Sequence, residues 1–286
     1  MKRTIHHAAA AALALTLGAS ANELPNLSDA DVAKIEAALP AKAAAGPKKA
    51  RKILVFWRCE GFFHGGGIAA GNKAIELMGA KTGAFTADFS RDYETLEPAN
   101  LAKYDALVLN NTTKLKLSDA QQQGLLAFVR GGKGLVGIHA ATDNFDNWPE
   151  GAKMLGGVFA SHPWGGGGTW AVKVEEPDHA LTKAFDGKGF KLKDEIYQFK
   201  EPYSRANCRV LLSLDLSDPA TGGQKGGRQD KDYAVSWLRT EGNGRVFFCS
   251  LGHDGNVFQE PAILRYYLDG IQYALGDVAA DATPKP

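Results

Sequence analysis

From residue 50 onward, continuous apolar runs alternate with amphipathic stretches. Lys52–Phe56 (KILVF) is a strand, and the glycines after it with AAGNKAIELMGA (69–80) supply a helix. Residues 85–89 form a second strand, YDALVLNN (104–111) a third and GLVGIHA (134–140) a fourth. Between the last two lies LSDAQQQGLLAFVRGG (117–132), a helix with Ser118 as N-cap. Strands that are apolar throughout, without period-two alternation, indicate a parallel sheet covered by helices on both faces. The second half changes character. TWAVKVE (169–175), DEIYQFK (194–200), RVLLSLD (209–215), YAVSWLRT (233–240) and GRVFFCSLGH (244–253) are strands with little helix between them, so some are antiparallel additions. Asn243-Gly244 marks a hairpin between the last two, and Pro261 opens a closing helix.

The pattern before residue 50 is of another kind. Lys2 and Arg3, an apolar stretch over 8–17 too short to span a bilayer, and Ala19-Ser20-Ala21 read as a secretory signal peptide over residues 1–21. The mature chain then starts near Asn22 and is periplasmic or secreted. LSDADVAKIEAALP (27–40) is a short helix capped by Ser28 and closed by Pro40, and 41–47 is a linker. The organisation is therefore 1–21 signal peptide, 22–50 helix and linker, 51–277 one α/β domain and 278–286 a tail.

Charge and cysteines narrow the function classes. Removing the leader takes away two cations and no anions, so the formal charge of +1 becomes −1. A nearly neutral chain of mixed charge gives no electrostatic case for nucleic acid or a membrane surface as partner. Three cysteines, Cys59, Cys208 and Cys249, are too few for a disulfide framework. Buried free thiols are preferred, with one bridge between two of them left open.

In open α/β sheets, ligands bind at the carboxyl ends of the parallel strands. Trp57 and His64 follow the first strand, His139 and Asp143 the fourth, and His253 the last. Asp143 is read either as a helix cap or as a substrate contact. His162 and Trp164 lie in VFASHPWGGGG (158–168), a glycine-rich loop, whereas His179 reads as a surface turn. Of Asp194 and Glu195 only one can face the cleft, and Glu195 shares its face with Tyr197. His139, Glu195 and His253 are the candidate catalytic groups. Trp57, His64, Asp143, Trp164 and Tyr197 are the candidate substrate contacts. His139, His162, Glu195 and His253 are the candidate ligands of a divalent metal, zinc foremost, and no nucleotide cofactor is expected. Without a metal, the same residues suit acid–base work and hydroxyl binding.

The strand running into FFHGG, then GLVGIHAATD, FASHPWG, DEIYQF and GRVFFCSLGH, in that order over 52–275, resembles the ThuA-like family. These are the trehalose-utilisation proteins of the class I glutamine amidotransferase-like superfamily. The resemblance implies a flavodoxin-like core and the processing of sugars, namely glucosides or their 3-keto forms, through isomerisation, elimination or hydrolysis. The family's polar positions carry over onto His64, His139, His162, Glu195 and His253. One departure from the superfamily matters. The elbow that carries its nucleophilic cysteine reads Gly137-Ile138-His139-Ala140-Ala141 here, so a cysteine–histidine glutaminase is not expected. Two rivals remain: a non-catalytic carbohydrate-binding protein using Trp57, Trp164, Trp170 and Tyr197, and a metal-dependent hydrolase of another exported substrate. Oligomeric state is left open.

Overall fold

The apolar runs become the middle of one nine-stranded sheet. In chain order the elements are α1 (Asp29–Ala38), β1 (Lys52–Phe56), α2 (Gly65–Thr82), β2 (Thr86–Ser90), α3 (Pro98–Leu101), β3 (Ala106–Asn110), α4 (Asp119–Arg130), β4 (Gly134–Ile138), α5 (Pro149–Leu155), β5 (Val158–Trp164), β6 (Thr169–Val174), β7 (Phe190–Lys193), β8 (Ile196–Lys200), β9 (Arg209–Leu214), α6 (Pro219–Gly222), β10 (Ala234–Glu241), β11 (Gly244–Cys249) and α7 (Pro261–Ala274). This computed structural model describes residues 23–285, so the leader reading over 1–21 lies outside the described residues.

Strand order in the large sheet is β2-β1-β3-β4-β11-β10-β9-β6-β7. The first five pair in parallel, and the next four pairings are antiparallel. With β11 counted as the fifth parallel strand, the order 2-1-3-4-5 is that of the flavodoxin-like fold. Every residue of β3 and β4 is buried, as a strand covered on both faces requires. The protein is thus α/β, with a mostly parallel sheet flanked by helices and antiparallel strands added in the second half.

Local chemistry fixes the helices. Ser118 and Gln121 form a complete capping box on α4, and Ser28 accepts from the Asp31 amide on α1; such caps contribute about 1 kcal/mol each. α7 starts at Pro261 and is buried along most of its length against β4 and β11. The 41–47 segment lies against α7, where the Gln272 amide accepts from Ala44 N–H and donates to the Ala45 carbonyl.

Three local expectations are corrected. The β10–β11 turn is Gly242-Asn243, one position early, since Glu241 pairs with Gly244 and Gly242 takes a φ of 58°. The segment read as a loop around His162 is the strand β5, paired with β8 in a separate two-stranded ribbon. Asp143 caps no helix N-terminus: it closes the 3-10 turn His139–Thr142, and the next helix begins at Pro149.

Candidate active site

Three imidazoles meet where β1, β4 and β11 end. His64 lies at the N-cap of α2, His139 is the first residue after β4, and His253 follows β11. Their ring centroids form a near-equilateral triangle: 5.0 Å from His64 to His139, 5.0 Å from His64 to His253, and 5.1 Å from His139 to His253. Glu195, immediately before β8, closes the group. Its Oε1 lies 3.3 Å from His253 Nδ1 and 3.7 Å from His139 Nε2, and its Oε2 lies 3.2 Å from His162 Nδ1.

His139 is held in a way its type does not favour. It is fully buried and has a φ of 47°, a left-handed conformation that costs a non-glycine residue on the order of 1–3 kcal/mol. Its Nδ1 lies 2.7 Å from the Ser250 carbonyl. A carbonyl can only accept, so Nδ1 carries the proton and Nε2 presents a lone pair to the group. That tautomer, with an outer carbonyl orienting the ring, is the arrangement metal-binding histidines use.

Burial decides the protonation of the other rings. It pushes the His64 imidazole down to about 4, helped by the neighbouring His253, and holds His139 well below the usual histidine range. Both are neutral at physiological pH. Burial opposes charge on His253 too, but there the hydrogen bond and charge of Glu195 outweigh it and its affinity for a proton rises. Behind the group, Asp194 is buried and its carboxylate accepts from the amides of Gly252 (2.7 Å) and Asp254 (3.3 Å). It thereby clamps the turn that carries His253. Burial raises Asp194 to about 7 against those two amides.

The donor set fits a divalent cation. One ligand atom from each of His64, His139, Glu195 and His253 lies within 4.8 Å of all the others. Two of the three imidazoles are neutral, and His64 Nδ1 is buried without a hydrogen-bond partner. The group is able to hold a metal ion.

The family profile described as "Trehalose utilisation" matches residues 52–274. The chain belongs to the ThuA family. Solved relatives agree on the fold. A putative ThuA-like protein from Bacteroides uniformis is 24% identical with a TM-score of 0.65, covering 80% of this chain and 94% of its own. Another, from Parabacteroides merdae, is 20% identical with a TM-score of 0.60, covering 82% and 93%. A cytoplasmic protein from Salmonella typhimurium, STM1381, is 14% identical with a TM-score of 0.50, covering 78% and 99%. No curated protein matches the chain.

The site of this ThuA protein differs from the sequence reading in its membership. His64, read as a substrate contact, stands inside the four-residue donor group. His162, read as a ligand, stands outside it on the far oxygen of Glu195, with 54% of its side chain exposed. Tyr197 does join Glu195: its ring centroid lies 4.3 Å from His139, and its hydroxyl 3.4 Å from His64 Nε2. Trp164 presents no face, being fully buried with its indole N–H donated to the Thr221 carbonyl. Trp57 packs beneath the Arg91 guanidinium, and Asp143 pairs with Lys114 at 2.8 Å while its charge acts on the Tyr197 hydroxyl. His179 is buried rather than at the surface, its Nε2 3.0 Å from the Asp281 carbonyl.

All three cysteines are free. The elbow position is held by His139, and burial raises every thiol, Cys208 and Cys249 to about 12. Burial thus holds all three in the thiol form, which is not the nucleophilic one. Two aromatic neighbours, Phe62 and Phe159, escaped the sequence reading. Phe62 sits beside His64 and His253, and Phe159 beside His162 and Tyr197. The repeated Phe in FFHGG was the available signal for the first.

Proposed function

We propose that the protein is an exported carbohydrate-active enzyme with a metal-dependent site made by His64, His139, Glu195 and His253. Its substrates are glucosides or their 3-keto derivatives; in the 3-keto forms, whose carbonyl acidifies the neighbouring C–H, proton transfer at that position leads to isomerisation, elimination or hydrolysis. The observation that carries the reading is the four-donor group with His139 locked as an Nε2 donor in a strained backbone. The family description, trehalose utilisation, supports a sugar as the small-molecule substrate. Zinc is the cation we assign, since three nitrogen donors and one carboxylate suit it.

When bound, such a cation supplies Lewis acidity toward a carbonyl or hydroxyl oxygen of the sugar. The chain supplies the rest. His139 holds its donor nitrogen in place through the Ser250 carbonyl, and Asp194 fixes the His253 turn. Glu195 and His162 are the pair placed to move a proton, because Oε2 and Nδ1 are 3.2 Å apart and the His162 ring reaches solvent. Tyr197, with its hydroxyl raised by burial, stays protonated and orients a substrate oxygen. Export rests on Lys2, Arg3, the apolar 8–17 stretch and Ala19-Ser20-Ala21. No helix among the described residues is long and apolar enough to cross a membrane.

Product analysis tests the reading. The protein is incubated with a panel of glucosides and 3-keto-glucosides, with and without chelator. Turnover that disappears with chelator and returns with zinc is expected. Binding without turnover would make the protein a sugar-binding module, and chelator-resistant turnover would remove the metal from the account.

A further inference from the structure

Among the described residues only two large hydrophobic side chains stand out into solvent, and Phe62, at 67% exposure, is by far the more open. A single exposed phenylalanine carries no message by itself. Its position does. The Phe62 ring meets His64 edge-on, with centroids 4.7 Å apart, and runs within 17° of parallel to His253 at 6.3 Å. It therefore stands against two members of the donor group while most of its surface remains in water.

The backbone that holds it there is pinned. Thr113 accepts the amide of Glu60 on its carbonyl and the amide of Gly61 on its hydroxyl, and that hydroxyl in turn donates to the Phe62 carbonyl at 3.0 Å. Cys59 and Thr113 are joined by an isolated parallel bridge. A loop bonded this densely does not leave its aromatic residue outside for want of order. Burying a Phe side chain is worth about 1.5–3 kcal/mol, and this segment forgoes that gain beside the reactive group.

We infer that Phe62 is the stacking platform of the site, taking the apolar C–H face of a pyranose ring while the ring's oxygens turn toward His64, His139, Glu195 and His253. Aromatic faces are electronegative and attract the polarised C–H groups that one side of a pyranose presents. An open-chain polyol carries the same hydroxyls but no such face. The platform thus selects cyclic sugars and sets the orientation in which they meet the donors. Trp164 and Trp57 do not fill this role, since one is buried and the other lies under Arg91. The inference rests on the sugar reading above and sharpens it.

Calorimetric titration tests it, with methyl glucopyranoside and its 3-keto derivative as ring probes and glucitol as the open-chain control. The wild-type protein should bind the ring probes and not glucitol. Phe62→Ala and Phe62→Leu should weaken the ring probes by about tenfold or more, whereas Phe62→Tyr and Phe62→Trp hold them within a few-fold. The leucine variant separates an aromatic face from mere apolar area. Because the side chain is mostly outside the core, all four variants should unfold near the wild-type temperature. Phe62→Ala or Phe62→Leu binding the ring probes as tightly as wild type would overturn the platform and leave the sugar reading standing. Absence of ring-probe binding by the wild-type protein would overturn the sugar reading itself, and the platform with it.

Discussion

Gly67 stands where the first turn of α2 passes the turn carrying His253. A Cβ at this position would lie 2.4 Å from the Gly252 carbonyl oxygen and 2.5 Å from that of His253, about 1 Å inside ordinary contact. Two effects of Gly67→Ala oppose each other. Alanine favours the helix by up to about 1 kcal/mol. Overpacking costs about 1–3 kcal/mol where the neighbour cannot yield, and both neighbours here are backbone atoms of a turn clamped by Asp194. Set against the full helix gain, the clash leaves a net loss of up to about 2 kcal/mol and a fall of up to roughly 8 °C in Tm for a chain of this size. The strain is relieved by moving His253, so zinc binding weakens as well. Gly66→Ala is the matched control, since nothing lies within 4 Å of its Cβ, and it should be neutral or slightly stabilising. Thermal unfolding and zinc titration of both variants check this. A Gly67→Ala protein as stable as Gly66→Ala, with zinc binding intact, would refute the claim that helix and turn are held at this distance for the site.

Thiol chemistry should be silent at the site. A disulfide-exchange reagent at neutral pH should leave Cys208 and Cys249 unmodified in the folded protein, because burial raises both thiols to about 12. Cys59→Ser should retain turnover; a folded Cys59→Ser protein without activity would contradict this. Trp164→Phe removes the donor to the buried Thr221 carbonyl, so it should cost about 1–3 kcal/mol in thermal unfolding while leaving sugar binding unchanged.

What the sequence discloses here depends on how local the cause is. β1, β3 and β4 are legible because both faces of each strand are buried, so the apolar run is unbroken. β5 is hidden by its serine, histidine and Pro163, residues a two-stranded ribbon tolerates and a central strand does not. That β11 joins the parallel half while its hairpin partner β10 starts the antiparallel half follows from sheet order, which no local pattern carries. His139 and His253 are legible from the strand-end rule, and Glu195 from the face it shares with Tyr197. Choosing His64 over His162 needs the path of the 59–64 loop, set by Thr113 some 50 residues away in the chain. Trp164 and His179 depart from the sequence expectation for one reason. Each is covered by distant chain, Thr221 and Tyr233 over the first and Asp281 over the second.

The exchange of His162 for His64 also gives the sharpest test of the site. Chelator-treated protein is titrated with Zn2+ by calorimetry, wild type beside His64→Ala, His139→Ala, Glu195→Gln, His253→Ala and His162→Ala, each checked for folding by circular dichroism. The account predicts one zinc per wild-type chain, losses on the order of 100-fold or more for the four members of the donor group, and a change of only a few-fold for His162→Ala. Zinc binding undiminished in folded His64→Ala, or lost in His162→Ala, would contradict it.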